Sequence, residues 1–193
     1  MKHRRDRGGL LPRSRGYSLI ELLFAGALAA ILAGFAGPTL HASITRAKTI
    51  AAARYLGSRM VMARTYAVTR SANVALRFDR TRPDATFQMF VDGNGNGVRT
   101  ADIASGVDRP LDQPVALSDL FSDVTIASGA GDSPIRIGNT DLLSFTPLGT
   151  ATPGSIFVRG RDGLQLVLRV VGATGRTRLL RYDPKSNDWV DSF

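Results

Sequence analysis

The stretch RSRGYSLIELLFAGALAAILAGF, residues 13–35, joins a basic leader to a long apolar run through a single acid, Glu21. Leu22 to Leu40 is nineteen residues without a charge. Glu21 is the only glutamate among 193 residues, the other fifteen acids being aspartates. Wound as a helix at ~1.5 Å per residue, the run reaches about 28 Å, close to the thickness of a hydrocarbon core. Residues 1–16 hold six Lys or Arg against one Asp. The positive-inside rule therefore puts the head in the cytoplasm and the remainder across the membrane. Two simpler readings compete. One is a secretory signal cleaved after a small residue such as Ala42 in LHAS; the other is an uncleaved anchor. Secretory signals have shorter apolar cores, usually without an acid at the entrance.

The net charge of +9 and the pI near 10.9 look like a nucleic-acid signature. Most of that excess belongs to the head, since residues 17–193 carry only +4. Whole-chain charge therefore overstates the case for nucleic acid. There is no cysteine, and the two histidines are His3 and His41. Serine-histidine and cysteine-histidine catalysis are excluded from the C-terminal part, and a histidine-bearing metal site is disfavoured. The composition calls for no cofactor and argues against an enzyme.

Beyond the apolar run the helical period continues. Ile44, Ala47, Ala51, Tyr55, Met62 and Tyr66 recur at spacings of three, four or seven, and predict one buried face. Arg46, Arg54, Arg59, Arg64 and Arg70 fall on other faces. A helix is expected from Ser18 to Arg70, loosened at Gly34, Gly37 and Pro38, where proline removes a backbone donor. After Ser71 the period changes to two. NVALRFDR and TFQMFVD, joined by RTRPDA, predict a hairpin. Further strands are expected at 124–127, 135–137, 155–159, 164–171 and 177–182, with a loop-rich excursion between Asp92 and Asp123. The fold class is α+β: a long N-terminal helix on a C-terminal antiparallel β-sheet domain. Its divisions are residues 1–16, a helix over 17–70 with 17–41 in the membrane, and a β domain over 71–193.

The ordered set Gly16, Tyr17, SLIELL and the apolar helix resembles the class III signal of type IV pilins and type II secretion pseudopilins. In that family a prepilin peptidase cuts after the glycine and methylates the new N-terminal amine. The resemblance implies cleavage between Gly16 and Tyr17, with N-methylation of Tyr17. Phenylalanine or methionine is usual there, so Tyr17 is a mild departure. Glu21 takes the place of the family's acid at the fifth mature position, and Pro38 that of its helix-loosening proline. A carboxylate at mid-bilayer costs roughly 2.5–3.5 kcal/mol, and less near the interface. Pairing with a neighbouring subunit's N-terminal amine lowers that cost, which makes Glu21 a register device for assembly.

Phe145, Pro147 and Gly149, followed by Gly175, Arg176 and Arg178, are similar to the end of the GspH/FimT minor pilin domain, with its F-x-P-x-G segment and G-R-x-R turn. The family implies a minor subunit that helps initiate or cap a pilus or pseudopilus. It also implies other pilins or pseudopilins, the prepilin peptidase and the bacterial inner membrane as partners. The chain would be single-pass, with a cytoplasmic N-terminus and a periplasmic C-terminal domain, before entering the filament. FimT-type members are implicated in DNA uptake through the G-R-x-R arginines. Residues 159–185 hold seven basic and two acidic side chains, so Arg176, Arg178, Arg181 and Lys185 are the DNA-binding candidates. In a strand, Arg176 and Arg178 share a face and Arg181 lies opposite unless the strand bends. No aromatic interleaving is visible, so phosphate contacts without sequence preference are expected. An arginine-rich edge strand that discourages sheet association is the competing reading.

DGNGNGVRTADI raises calcium, since Asp92, Asn94, Asn96 and Gly97 match the opening of an EF-hand-like loop. Position twelve is Ile103 rather than an acid, and Asn-Gly pairs are strong turn formers. A structural loop is favoured over a metal site.

Overall fold

The computed structural model describes residues 16–129, 133–138 and 140–192, without the side chains of residues 33 and 35–41. The chain divides between His41 and Ala42 into two compact units. Helix α1 is assigned continuously over Leu19–Arg70. Among the described residues no helix is long and apolar enough to cross a membrane. The expected span over Leu22–Leu40 runs into positions whose side chains lie outside the described residues, as do Gly37 and Pro38.

Within the second unit, α1 turns one seam inward: Thr49, Ala52, Ala53, Leu56, Met60, Ala63 and Ala67 are fully buried. This corrects the expected face. Ile44 and Met62 are about half exposed, while Tyr55 and Tyr66 flank the seam and pack at its edge. The seam is mostly alanine because the helix lies close against strands. At Gly160 an added Cβ would stand 2.1 Å from the Thr49 hydroxyl oxygen, so only glycine fits that approach. Two of the arginines expected on other faces have partners within the domain. Arg59 pairs with Asp112 at low exposure, and Arg64 Nε donates to the Gly149 carbonyl at 3.0 Å.

The expected antiparallel domain consists of two sheets. The first contains β1 (Val74–Asp79), β2 (Thr86–Val91), the short β3 (Arg109–Pro110) and β4 (Val115–Ala116), and β7 (Leu142–Phe145), in the order β3-β2-β1-β7 with β4 on β2. β1 and β2 form the predicted hairpin, Val74 opposite Val91 and Phe78 opposite Phe87. The second contains β5 (Val124–Thr125), β6 (Ile135–Ile137), β8 (Gly154–Gly160), β9 (Gln165–Val171), β10 (Arg176–Asp183) and β11 (Asp188–Asp191). Its order is β11-β10-β9-β8-β5, with β6 also on β8.

Leu76, Phe78, Phe87, Leu143 and Phe145 from the first sheet join Ile156, Val158, Leu166, Leu168 and Val170 from the second around the helix seam. Each fully buried side chain of this size contributes roughly 1.5–3 kcal/mol of transfer free energy. The excursion between Asp92 and Asp123 is more ordered than its composition predicts. It holds α2 (Thr100–Ser105) and α3 (Leu117–Leu120) besides β3 and β4. Val98 and Ile103 from it cover Ala75, Phe90 and Leu142 on the outer side of the first sheet.

Candidate functional site

The N-terminal candidates lie at the start of α1. Gly16 and Tyr17 precede the helix, and Tyr17 is exposed. Ser18 occupies the position before the first helical residue. Its carbonyl accepts from the Glu21 and Leu22 amides at 3.0 and 3.1 Å. The Glu21 carboxylate reaches back to the Ser18 amide at 3.4 Å. Ser18-Leu19-Ile20-Glu21 thus has the S-x-x-E spacing of a capping box, with the glutamate half of the exchange present at long range. That spacing was readable in the sequence and gives Glu21 a local partner besides any partner in another subunit.

The loop at Asp92 is built around its carboxylate. Oδ1 accepts from the Asn94 and Gly95 amides at 3.0 and 2.7 Å, and Oδ2 from the Gly97 amide and the Asn73 side chain at 2.7 and 2.9 Å. Burial raises the Asp92 carboxyl, but the donors from Asn73, Gly97, Asn94 and Gly95 outweigh it and hold the group below its ordinary value. Asp108, nearly fully buried, does the same work for the Gly93 and Arg99 amides at 3.0 and 2.9 Å. The side chains of Asn94 and Asn96 lie against Asp102 at 3.4 and 3.1 Å. Among the described residues no three acids or histidines gather as a metal site.

The two C-terminal motifs converge on one helix residue. Gly149 lies within a tight loop whose ends, Thr146 and Thr150, are joined by an amide-to-carbonyl bond of 2.9 Å and a hydroxyl contact of 2.7 Å. Gly175 has φ +59°, and an added Cβ would sit 2.3 Å from the Gly149 carbonyl and 3.0 Å from Arg64 Nε. Gly149 has φ +78°, also with Arg64 beside it. The glycines of F-x-P-x-G and G-R-x-R are therefore the closed side of a clamp on Arg64, which requires left-handed backbone without side chains. The clamp fixes where β10 begins.

From that point β10 alternates. Arg176 and Arg178 point to one side and are exposed, and Arg181 falls on the opposite face, half-buried, as the period of two predicts. Lys185 lies in the turn between β10 and β11 and is exposed, outside this row. Arg178 stands opposite Arg169 on β9, Arg169 opposite Ser155 on β8, and Ser155 opposite Arg136 on β6. With Arg159 further along β8, five exposed arginines among the described residues share the outer face of the second sheet. Asp191 tempers them, accepting from Arg178 at 2.7 and 3.0 Å with both side chains 59% exposed. Aromatic residues do interleave here, contrary to the sequence reading. Tyr182, Trp189 and Phe157 lie beside the arginine row, with Trp189 5.3 Å from Tyr182 and 5.5 Å from Phe157 between ring centres. Tyr182 and Trp189 pair within the β10–β11 hairpin, and it takes the fold to bring Phe157 of β8 beside them.

No curated protein and no solved structure matches the chain at a significant level. Residues 52–175 match the family described as type II transport protein GspH. The match begins in the buried seam of α1, takes in the first sheet and β5, β6, β8 and β9 of the second, and ends on Gly175 of the Arg64 clamp, just before β10. It covers more than half of the 193 residues, and the chain belongs to the type II transport protein GspH family.

Proposed function

We propose that the chain is a minor pseudopilin or pilin subunit of a type II secretion pseudopilus or type IV pilus, acting in filament initiation, assembly or at the tip. One observation carries this reading beyond family membership. Apart from Glu21 the first turns of α1 are apolar all round, with Leu19, Ile20, Leu22, Leu23, Phe24 and Ile31 all exposed. A helix with no polar face needs lipid or other helices around it. In this reading the helix first sits in the inner membrane with its domain in the periplasm. It then docks among other subunits, where Glu21 meets a neighbour's N-terminal amine and Pro38 loosens the helix. Prepilin peptidase acts on the chain at Gly16–Tyr17; the chain itself catalyses nothing. Intact-mass analysis of chain recovered from cells with active prepilin peptidase is expected to show a start at Tyr17 with one added methyl group. A start near Ser43, or an unprocessed chain, overturns the reading.

A second reading, a DNA-binding minor pilin serving uptake in natural transformation, is favoured by the outer arginines. Like charges directly opposite in a sheet destabilise it, yet Arg178 faces Arg169 across β10 and β9. A strand designed only for stability or to discourage edge pairing has no need of that opposition, whereas a surface for phosphates does.

A further inference from the structure

Beside the arginine row, the outer face of the second sheet has a second row, Leu180, Val167 and Phe157 in cross-strand register. Trp189 packs over these three and stays half-buried. Arg136 links the two rows, since its guanidinium lies 4.8 Å from the Phe157 ring centre. Arg136, Phe157, Tyr182, Trp189, Gln165 and Asn187 line a cleft of about 400 Å³. That volume falls within the roughly 300–1,000 Å³ of small-ligand sites. Tyr182 is held by donating its hydroxyl to Asn187 Oδ1 at 2.6 Å.

Charge and rings together narrow the occupant. A polyanion without rings would use the arginines and leave the cleft empty. A neutral saccharide would use the rings and gain nothing from five exposed guanidinium groups. Duplex DNA would meet the arginines, but its bases are stacked on one another and have no free face to offer. Among polyanions long enough to meet several of these arginines, an unpaired nucleic-acid strand presents phosphates and planar faces at once, the combination that single-strand binders use.

We infer that this face binds single-stranded nucleic acid, with backbone phosphates on Arg169, Arg176 and Arg178 and a base stacked in the cleft against Trp189. This rests on the DNA-binding reading above and specifies its ligand. Arg136 closes the far side of the cleft, positioned to meet the next phosphate. The stacking sets no sequence preference, because every base has a π-face.

Trp189 is the only tryptophan in the chain, so its fluorescence reports the cleft directly. The full-length chain in neutral detergent is titrated with a thymidine oligonucleotide, with a duplex of equal length and with inorganic polyphosphate, each over a salt series. The single strand is expected to bind and quench Trp189, with log K falling by about 3–4 per log unit of salt if five phosphates are neutralised. Duplex and polyphosphate are expected to bind without quenching. Trp189→Leu is expected to lower single-strand affinity roughly 5- to 150-fold, the range for one base–aromatic stack, and to leave polyphosphate affinity unchanged. Arg169→Gln with Arg178→Gln weakens all three ligands. Single-strand binding without quenching, or equal quenching by the duplex, overturns the stacking site while the DNA-binding reading stands. Failure of both DNA forms to bind at low salt overturns both. The quench is read on the unaltered protein, so it decides the matter even if Trp189→Leu does not fold.

Discussion

Strands β9 and β10 present two different surfaces on one backbone. Inward, Leu166, Leu168 and Val170 are buried in the cluster that holds the α1 seam. Outward, Arg169, Arg176 and Arg178 stand in solvent with like charges opposed. Neighbours in sequence thus carry opposite duties, and the inner face supplies the stability that lets the outer face hold unfavourable charge. The adjacent residues Leu168 and Arg169 break or sharpen this contrast most strongly. Leu168→Ala leaves a cavity between sheet and helix and is expected to cost about 2–5 kcal/mol. Arg169→Gln is expected to stay within about 0.5 kcal/mol, since exposed substitutions rarely do more and this one removes a like-charge opposition. Denaturant midpoints of the two variants check it. Comparable losses would mean the outer row is part of the scaffold.

The same contrast separates two aspartates. Asp92, half-buried, accepts from four donors that build the loop after β2, whereas Asp191 lies on the outer face against Arg178. Asp92→Asn is expected to cost about 1–3 kcal/mol at neutral pH, because it sets an amide donor against backbone N–H groups. The folded Asp92 carboxyl titrates below its ordinary value. Its stabilisation is therefore full above roughly pH 4, the unfolded carboxylate value, and is lost as pH falls through the lower folded value. Melting of both proteins from pH 7 downward is expected to show the gap closing below about pH 4. A gap unchanged in acid would assign the loss to something other than the carboxylate.

Where a single period governs, the sequence was readable. The β1–β2 hairpin lies where alternation placed it, β6 fills residues 135–137 as expected, β8 to β10 end within one residue of their expected limits, and β5 covers only the first half of the expected 124–127. The helix face was misread because apolar bulk, in Tyr55, Met62 and Tyr66, drew the seam away from small residues. Helix-to-strand distance is a tertiary quantity, and at this distance alanine is the residue that fits. Strands β7 (LLSF) and β11 (DWVD) were missed because neither alternates apolar and polar residues, as the three residues of β6 (IRI) do. The motif glycines were legible as a signature, but their meeting on Arg64 was not. It joins positions 85 residues apart. The aromatic cleft was hidden for the same reason, being assembled by register across β8, β10 and β11. The capping box at Ser18–Glu21 is the opposite case, a four-residue pattern overshadowed by the longer motif around it.

The smallest expected effect on stability belongs to Asp191, and it discriminates well because its two readouts move independently. The Arg178–Asp191 pair is 59% exposed on both sides, and exposed pairs contribute about 0–1 kcal/mol. Asp191→Asn is therefore expected to shift the denaturation midpoint barely, if at all. It nevertheless frees Arg178 and raises the charge of the outer face by one, so polyphosphate and single-strand affinity at low salt are expected to rise severalfold, converging with the unaltered protein as salt screens the difference. A stability loss above about 1 kcal/mol with unchanged polyanion affinity would make the pair a structural tie between β10 and β11, and would return the arginine row to the role of a solvated sheet face.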